Sequence, residues 1–210
     1  MVTLLAGEDP DSLHDALSQA GFRRSQDLAY RPACDNCTAC VPVRVPVESF
    51  SPSRSLRRVW HRNAAITGRE LPALATREHF ALFRRYLGTR HSTGGMADMD
   101  FGDYRAMVED SPVRTHLMEF RHADQRLYGV CLTDRMRDGL SLVYSFFDPD
   151  LAVMSPGSFI VLWHIERARI QGLDHVYLGY WIAESHKMAY KTRFRPIERL
   201  GPSGWELLEG

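Results

Sequence analysis

The chain's 210 residues, 44% hydrophobic and 25% charged, have the make-up of a globular protein long enough to bury a substantial core. No apolar run approaches the roughly 20 residues that span a bilayer, and 26 basic side chains balance 26 acidic ones, so neither a membrane span nor a global field drawing the chain to nucleic acid is expected. The opening "MVTLLAGEDPDSL" has no basic leader and three of the four cysteines are clustered, which points to the reducing cytoplasm and to thiols as ligands rather than disulfides.

In chain order, "DPDSLHDALSQAG" (9–21) predicts a short helix with Pro10 in its first turn, Leu13, Ala16, Leu17 and Ala20 on one face, and Gly21 as its stop. "CDNCTAC" then places Cys34, Cys37 and Cys40 at two equal spacings, as candidate ligands of an iron–sulfur cluster or a zinc ion with no fourth ligand in the stretch. Cys131, in an apolar strand, reads as a buried inert thiol. "VPVRVPV" (41–47) alternates, and its two prolines on one face predict an edge strand or an extended segment. "SPSRSLRRVWHRN" predicts a helix capped near Ser53, with Arg54, Arg57, Arg58, His61 and Arg62 within reach of one another. This stretch and "KTRFRPIER" (191–199) interleave cations with aromatics, which suits phosphate neutralisation and stacking as well as it suits a solvated face. "TREHFALFRRYLGTRH" predicts a second helix, with Phe80, Phe83 and Leu87 facing inward. "STGGMADMDFGDY" reads as a loop whose Gly94-Gly95 pair is weak evidence for a phosphate site.

Beyond it the pattern changes. "VRTHLMEF", "LYGVCLT" and "LSLVYSFF" are three β-rich runs at hairpin spacing, an antiparallel meander. "PGSFIVLWHIERARIQG" is a helix stopped by Gly172, and "HVYLGYW" is a further strand, brought by a right-handed crossover parallel to 140–147. The organisation expected is a mixed half with the cysteines and the basic helix (1–110), packed closely on an α/β half (111–210).

In such a sheet, ligands bind beyond the carboxyl ends of the parallel strands. That brings together "YSFFDPD", "SPGS" and "GYWIAESHKMAYK", with free N–H groups of Ser155, Gly157 and Ser158 at a helix N-terminus, and with Lys187 and Lys191 one turn apart on a short helix, reaching the same anion. Meander plus strand–helix–strand resembles the GNAT acyltransferase core, in which two splayed parallel strands hold the acyl donor. Members that use acetyl-CoA carry a glycine-rich Arg/Gln-x-x-Gly-x-Gly/Ala loop; "AVMSPGSF" here has one glycine and a proline. A CoA-dependent N-acyltransferase is therefore the alternative enzyme, and a tRNA- or degron-binding module without turnover the alternative of another class.

"VYSFFDPDLAVMSPGSFIVLWHIERA", "HVYLGYWIAESHKMAYKTRFRP", "YRPACDNCTACVPVRVPVESFSPSRSLRRVWHRN" and "GGMADMDFGDY" resemble the aminoacyl-tRNA–protein transferases of the N-degron pathway, in their bacterial aspartate/glutamate leucyltransferase type, over nearly the whole chain from Leu13. The resemblance implies transfer of a leucyl group from aminoacyl-tRNA to the α-amine of proteins beginning with Asp or Glu, with no cofactor required for the transfer. Such an ester is already activated, so the site needs a held amine, oxyanion donors and a proton for the leaving ribose oxygen. Tyr144, Ser145 and the backbone of Phe146–Phe147 are the expected lining, with Asp148 as orienting group or base unless "FDPD" is simply a turn. Arg44, Arg57, Ser158, Lys187, Lys191 and Arg195 are the candidates for gripping the acceptor carboxylate or tRNA phosphates. Tyr180, Trp181, Tyr190 and Phe194 are the candidates for stacking on the tRNA 3′ end. Relatives carry the missing cysteine in an N-terminal Cys-Pro-Tyr segment. Nothing like it precedes Val2, so reduced, metal-free thiols are expected of Cys34, Cys37 and Cys40 in the chain as it stands.

Overall fold

The meander predicted from alternation is present as β6 (Thr115–Arg121), β7 (Leu127–Arg135) and β8 (Gly139–Phe147), followed by helix α5 (Pro156–Ile170) and strand β9 (His175–Trp181), in a computed structural model that describes residues 1–90 and 95–209. These strands belong to an eight-stranded sheet ordered β11-β10-β4-β9-β8-β7-β6-β5, which also takes in β4 (Val41–Pro46), β5 (Thr67–Pro72), β10 (Glu198–Gly201) and β11 (Gly204–Leu207). Every pairing is antiparallel except β8 with β9, which the α5 crossover makes parallel. The sheet thus draws strands from both 1–110 and 111–210.

Three local features set the site's position. The parallel ladder holds only at Gly139↔His175, Leu140↔Val176 and Ser141↔Tyr177; beyond these pairs the two strands part. β8 carries a bulge, because Thr133 pairs with Leu142 and Leu132 with Tyr144, leaving Val143 as the extra residue. β9 carries another at the same level, since Arg44 pairs with Tyr177 and Val43 with Gly179, leaving Leu178 over.

Helix α2 (Arg54–Arg62) packs on α5, and α3 (Arg77–Arg90) on β7 and β8, enclosing a core that includes Phe83, Phe120, Tyr128, Phe146 and Ile160. Ser53 caps α2 through its side chain, as its position in the sequence suggests. A smaller sheet, ordered β1-β3-β2 from β1 (Val2–Leu4), β2 (Arg23–Ser25) and β3 (Leu28–Tyr30), has its own cluster of Leu5, Ala29 and Val113.

Some expectations are corrected. β4 is internal rather than an edge: β10 covers only Val43 and Arg44, so both prolines fall outside that short pairing. In α1 (Pro10–Gln19) the residues turned inward are His14 and Ser18, while Ala16 and Ala20 are exposed, because this helix faces a buried polar network around Asp134 rather than a purely apolar core. The stretch read as a loop turns helical at α4 (Phe101–Glu109), started by a reciprocal capping box between Asp100 and Asp103. Of the glycine pair, Gly94 lies outside the described residues, and nothing stands within 4 Å of where a Cβ on Gly95 would be.

Candidate active site

Where β8 and β9 part, a cavity of about 410 Å³ opens, lined by Tyr86 and Arg90 from α3, Ser145 and Phe147 from β8, the N-terminus of α5, and His186, Lys187 and Tyr190 from the segment after β9. A 3₁₀ segment, Pro149–Met154, leads from β8 to α5. Its carbonyls are held from α2: Arg62 donates to Val153 O, and Asn63, just past the helix, donates to Met154 O at 2.9 Å. Ser155 then turns the chain into α5 through the left-handed region (φ 55°), a conformation that costs a non-glycine residue energy.

At that N-terminus Pro156 has no N–H, and Ser155 spends its own on Ala152 O at 3.0 Å. The anion-facing donors are therefore the N–H groups of Gly157 and Ser158, with no side-chain cap competing for them. Gly157 sits over Phe147: a Cβ there would stand 3.2 Å from that ring. The Tyr86 ring meets Phe147 edge-on at 4.9 Å, and the Arg90 guanidinium lies 5.3 Å from the same ring's centre. Burial raises the Tyr86 pKa, with Arg90 pulling the other way, so the phenol is a donor at neutral pH.

Of the residues singled out in the sequence, Ser145, Ser158, Lys187 and Tyr190 meet at this cavity. Tyr144 does not line it; its ring packs against Phe83 and Phe146, and burial, with Tyr86 close by, raises its pKa. Asp148 is buried, accepts from Arg85 at 3.0 Å and caps the 3₁₀ segment through Asp150 N, so its carboxylate is spent on the turn. Arg44 is buried in β4, bonded to Glu198 at 2.7 Å and Tyr177 at 3.0 Å under the Trp205 ring. Arg57 lines a separate groove between α2 and α5 with Trp60 and Arg169, and donates to Pro52 O. Tyr180 donates to Gly21 O and Tyr30 O, holding the small sheet rather than offering a stacking face. Trp181 packs against the main core and Phe194 is buried in it. Arg195 is exposed near Leu208 O, outside the cavity.

Lys187 and Lys191 do not act on one target. The turn through Ser185–Met188 gives way to a 3₁₀ segment, Ala189–Arg193, and this break sends Lys191 inward onto Tyr180 O while Lys187 stays exposed. Burial, and next to it the charge of Arg23, pushes Lys191 down to about 7. Sequence reasoning missed Tyr86, Arg90 and His186; the last turn of a helix ending at a glycine-rich stretch was the available signal for the first two.

Cys34, Cys37 and Cys40 share a groove of about 270 Å³ with Arg31 and residues of β10, outside the cavity. Among the described residues no three His, Cys, Asp or Glu side chains are arranged to hold a metal ion. Among the same residues no helix is long and apolar enough to cross a membrane.

Residues 2–58 match the family model described as arginine-tRNA-protein transferase, N terminus, and residues 78–201 the one described as arginine-tRNA-protein transferase, C terminus. The chain is 57% identical over 206 residues to an aspartate/glutamate leucyltransferase of Paramagnetospirillum magneticum, covering 98% of this chain and 84% of that protein. It is 56% identical over 203 residues to one of Parvibaculum lavamentivorans, covering 97% and 84%. Among solved structures, it overlays on L-PGS from Bacillus licheniformis with a TM-score of 0.60 at 13% identity, covering 80% of this chain and 59% of that one. On FemX it does so with a TM-score of 0.54 at 9% identity, covering 89% and 65%. At such identities the likeness is one of fold, the GNAT-like core with splayed parallel strands.

Proposed function

Because the chain belongs to the arginine-tRNA-protein transferase family, we propose that it moves a leucyl group from leucyl-tRNA to the N-terminal α-amine of proteins that begin with Asp or Glu, marking them for degradation. The observation that carries this reading is the convergence, on one cavity at the parted ends of β8 and β9, of the Gly157 and Ser158 N–H groups with Arg90, Lys187, Ser145 and two phenols.

The reaction is a substitution at an ester. The amine nitrogen attacks the aminoacyl carbonyl carbon, the tetrahedral oxyanion collapses, the bond from carbon to the ribose oxygen breaks, and that oxygen takes a proton. An α-amine of pKa about 7.7–8.0 is neutral in a substantial fraction at physiological pH, so positioning matters more than a strong base. In this assignment Gly157 N–H, Ser158 N–H, Lys187 and Arg90 take the phosphates of the tRNA 3′ end. Tyr190, exposed beside the cavity, offers a face to its terminal bases. The Ser145 hydroxyl sits where it can donate to the developing oxyanion or relay the proton to the ribose. His186, exposed at the cavity, is the group assigned to the acceptor's side-chain carboxylate. Pro156 has no N–H and Ser155 spends its own on Ala152 O, so the α5 turn offers a phosphate only the Gly157 and Ser158 amides, which disfavours the CoA-dependent alternative.

The test is transfer of labelled leucine from charged tRNA to peptides starting with Asp, Glu or Ala. Label on the first two alone is expected. Absence of label from all three, or transfer only from a leucyl thioester, would remove the assignment.

A further inference from the structure

The gap between β8 and β9 is not held by the two strands alone. At the level where their ladder ends, the guanidinium of Arg23, from β2 of the small sheet, lies between them. Its Nη2 donates to Leu142 O and Val143 O, both at 2.9 Å, and its Nη1 reaches Leu178 O at 3.5 Å. The two bulges explain how three carbonyls meet one side chain. The extra residue at Val143 lets two successive carbonyls of β8 face the gap, and the extra residue at Leu178 turns a β9 carbonyl toward the same point. Parted strands would otherwise leave these acceptors without the ladder partners that buried backbone requires.

The space Arg23 occupies exists because residue 179 is glycine. A Cβ there would lie 1.4 Å from Arg23 Nη1, and its φ of 76° is one that glycine adopts freely. Lys191 completes the arrangement one residue further along, on Tyr180 O.

The geometry points to Arg23 as a positioning residue: a wedge, seated against Gly179, that sets the separation of β8 and β9 and hence where Ser145 stands relative to the scissile ester. Ser145 follows the wedged bulge by two residues, so the wedge acts through it without touching substrate. Arginine is suited to the task because one planar fork serves acceptors on both strands, which a single ammonium does not.

The inference rests on the transfer activity proposed above, and wild-type turnover separates the two: no leucyl transfer by the wild type fails that reading, whereas the variants fail this one. Arg23→Lys and Arg23→Ala are expected to lose about 100-fold in kcat, the scale of an ångström's misplacement. Their KM for leucyl-tRNA should stay within about threefold, because the phosphate donors are elsewhere. Added methylguanidinium should restore part of the Arg23→Ala rate. Gly179→Ala, whose Cβ would stand 1.4 Å from Arg23 Nη1, should also lower kcat. Hydrogen exchange in folded Arg23→Lys should speed up across 142–145 and 178–181 and nowhere else. Arg23→Lys at wild-type kcat, or a loss confined to KM, would each overturn the wedge.

Discussion

The ammonium of Lys191 offers a test that needs no substrate. The residue is 6% exposed and donates to Tyr180 O, and burial, followed by the Arg23 charge, lowers its pKa from 10.5 to about 7. In the unfolded chain the amine keeps its proton up to about pH 10.4. Between these values the unfolded state holds more protons than the folded one, so stability rises with pH across that window and is flat below it. The slope reaches about 1.4 kcal/mol per pH unit once the native amine is neutral. At pH 7 it is about half-protonated, so the gain from pH 7 to 9 comes to about 2 kcal/mol. Lys191→Met keeps the volume and removes the titration. Urea unfolding of both proteins at pH 6, 7, 8 and 9 and constant ionic strength should show wild type gaining that amount on the variant above pH 7. Parallel stability curves would refute the claim that this amine is buried against a second cation.

Lys187→Ala and Arg90→Ala should each weaken leucyl-tRNA binding and reduce the slope of log affinity against log salt by about 0.7, one single-strand phosphate contact apiece; unchanged slopes would take both residues off the phosphates. Asn63→Leu removes the bonds to Met154 O and from Tyr128 (2.9 and 2.6 Å), leaving buried partners unsatisfied. It should cost about 2–4 kcal/mol, or roughly 5–12 °C in Tm for a chain of this size, and circular dichroism melts will measure it. Gly68→Ala places a Cβ 2.4–2.7 Å from three atoms of the Trp163 indole. It should destabilise by about 1–3 kcal/mol, with a shift in tryptophan fluorescence; a neutral result would mean that the ring moves aside freely.

The fold was legible where pattern and length agree. β6 to β9 and α5 each carry an apolar-rich run of seven or more residues, and their boundaries fall within about two residues of expectation. The elements that escaped are short or polar. β1, β2 and β3 have three residues each, and β5 is mostly exposed, so neither burial nor period marks them before a partner strand does. β4 departs from the expected edge position for a different reason: proline excludes a hydrogen bond only at its own position, and a partner strand covering two residues avoids both.

The site was legible in part, because sequence proximity to the cleft selects residues while the backbone decides which way they face. Lys187 and Lys191 read as a pair only if helical geometry joins them, and a turn running into a 3₁₀ segment does not. Tyr180 and Tyr190 look equivalent as aromatics, but Tyr180 lies within β9 and turns to the small sheet while Tyr190 turns to the cavity. The same alternation governs "GFRRSQ". On a strand, neighbouring side chains point to opposite faces, so Arg24 goes to Asp134, with bonds of 2.7 and 2.8 Å, while Arg23 enters the gap between β8 and β9. As letters the two arginines are a small basic patch. As consecutive positions on β2, one anchors the small sheet and the other reaches the parted strands, so the short strand that sequence pattern could not find is what ties the small sheet to the geometry of the cleft.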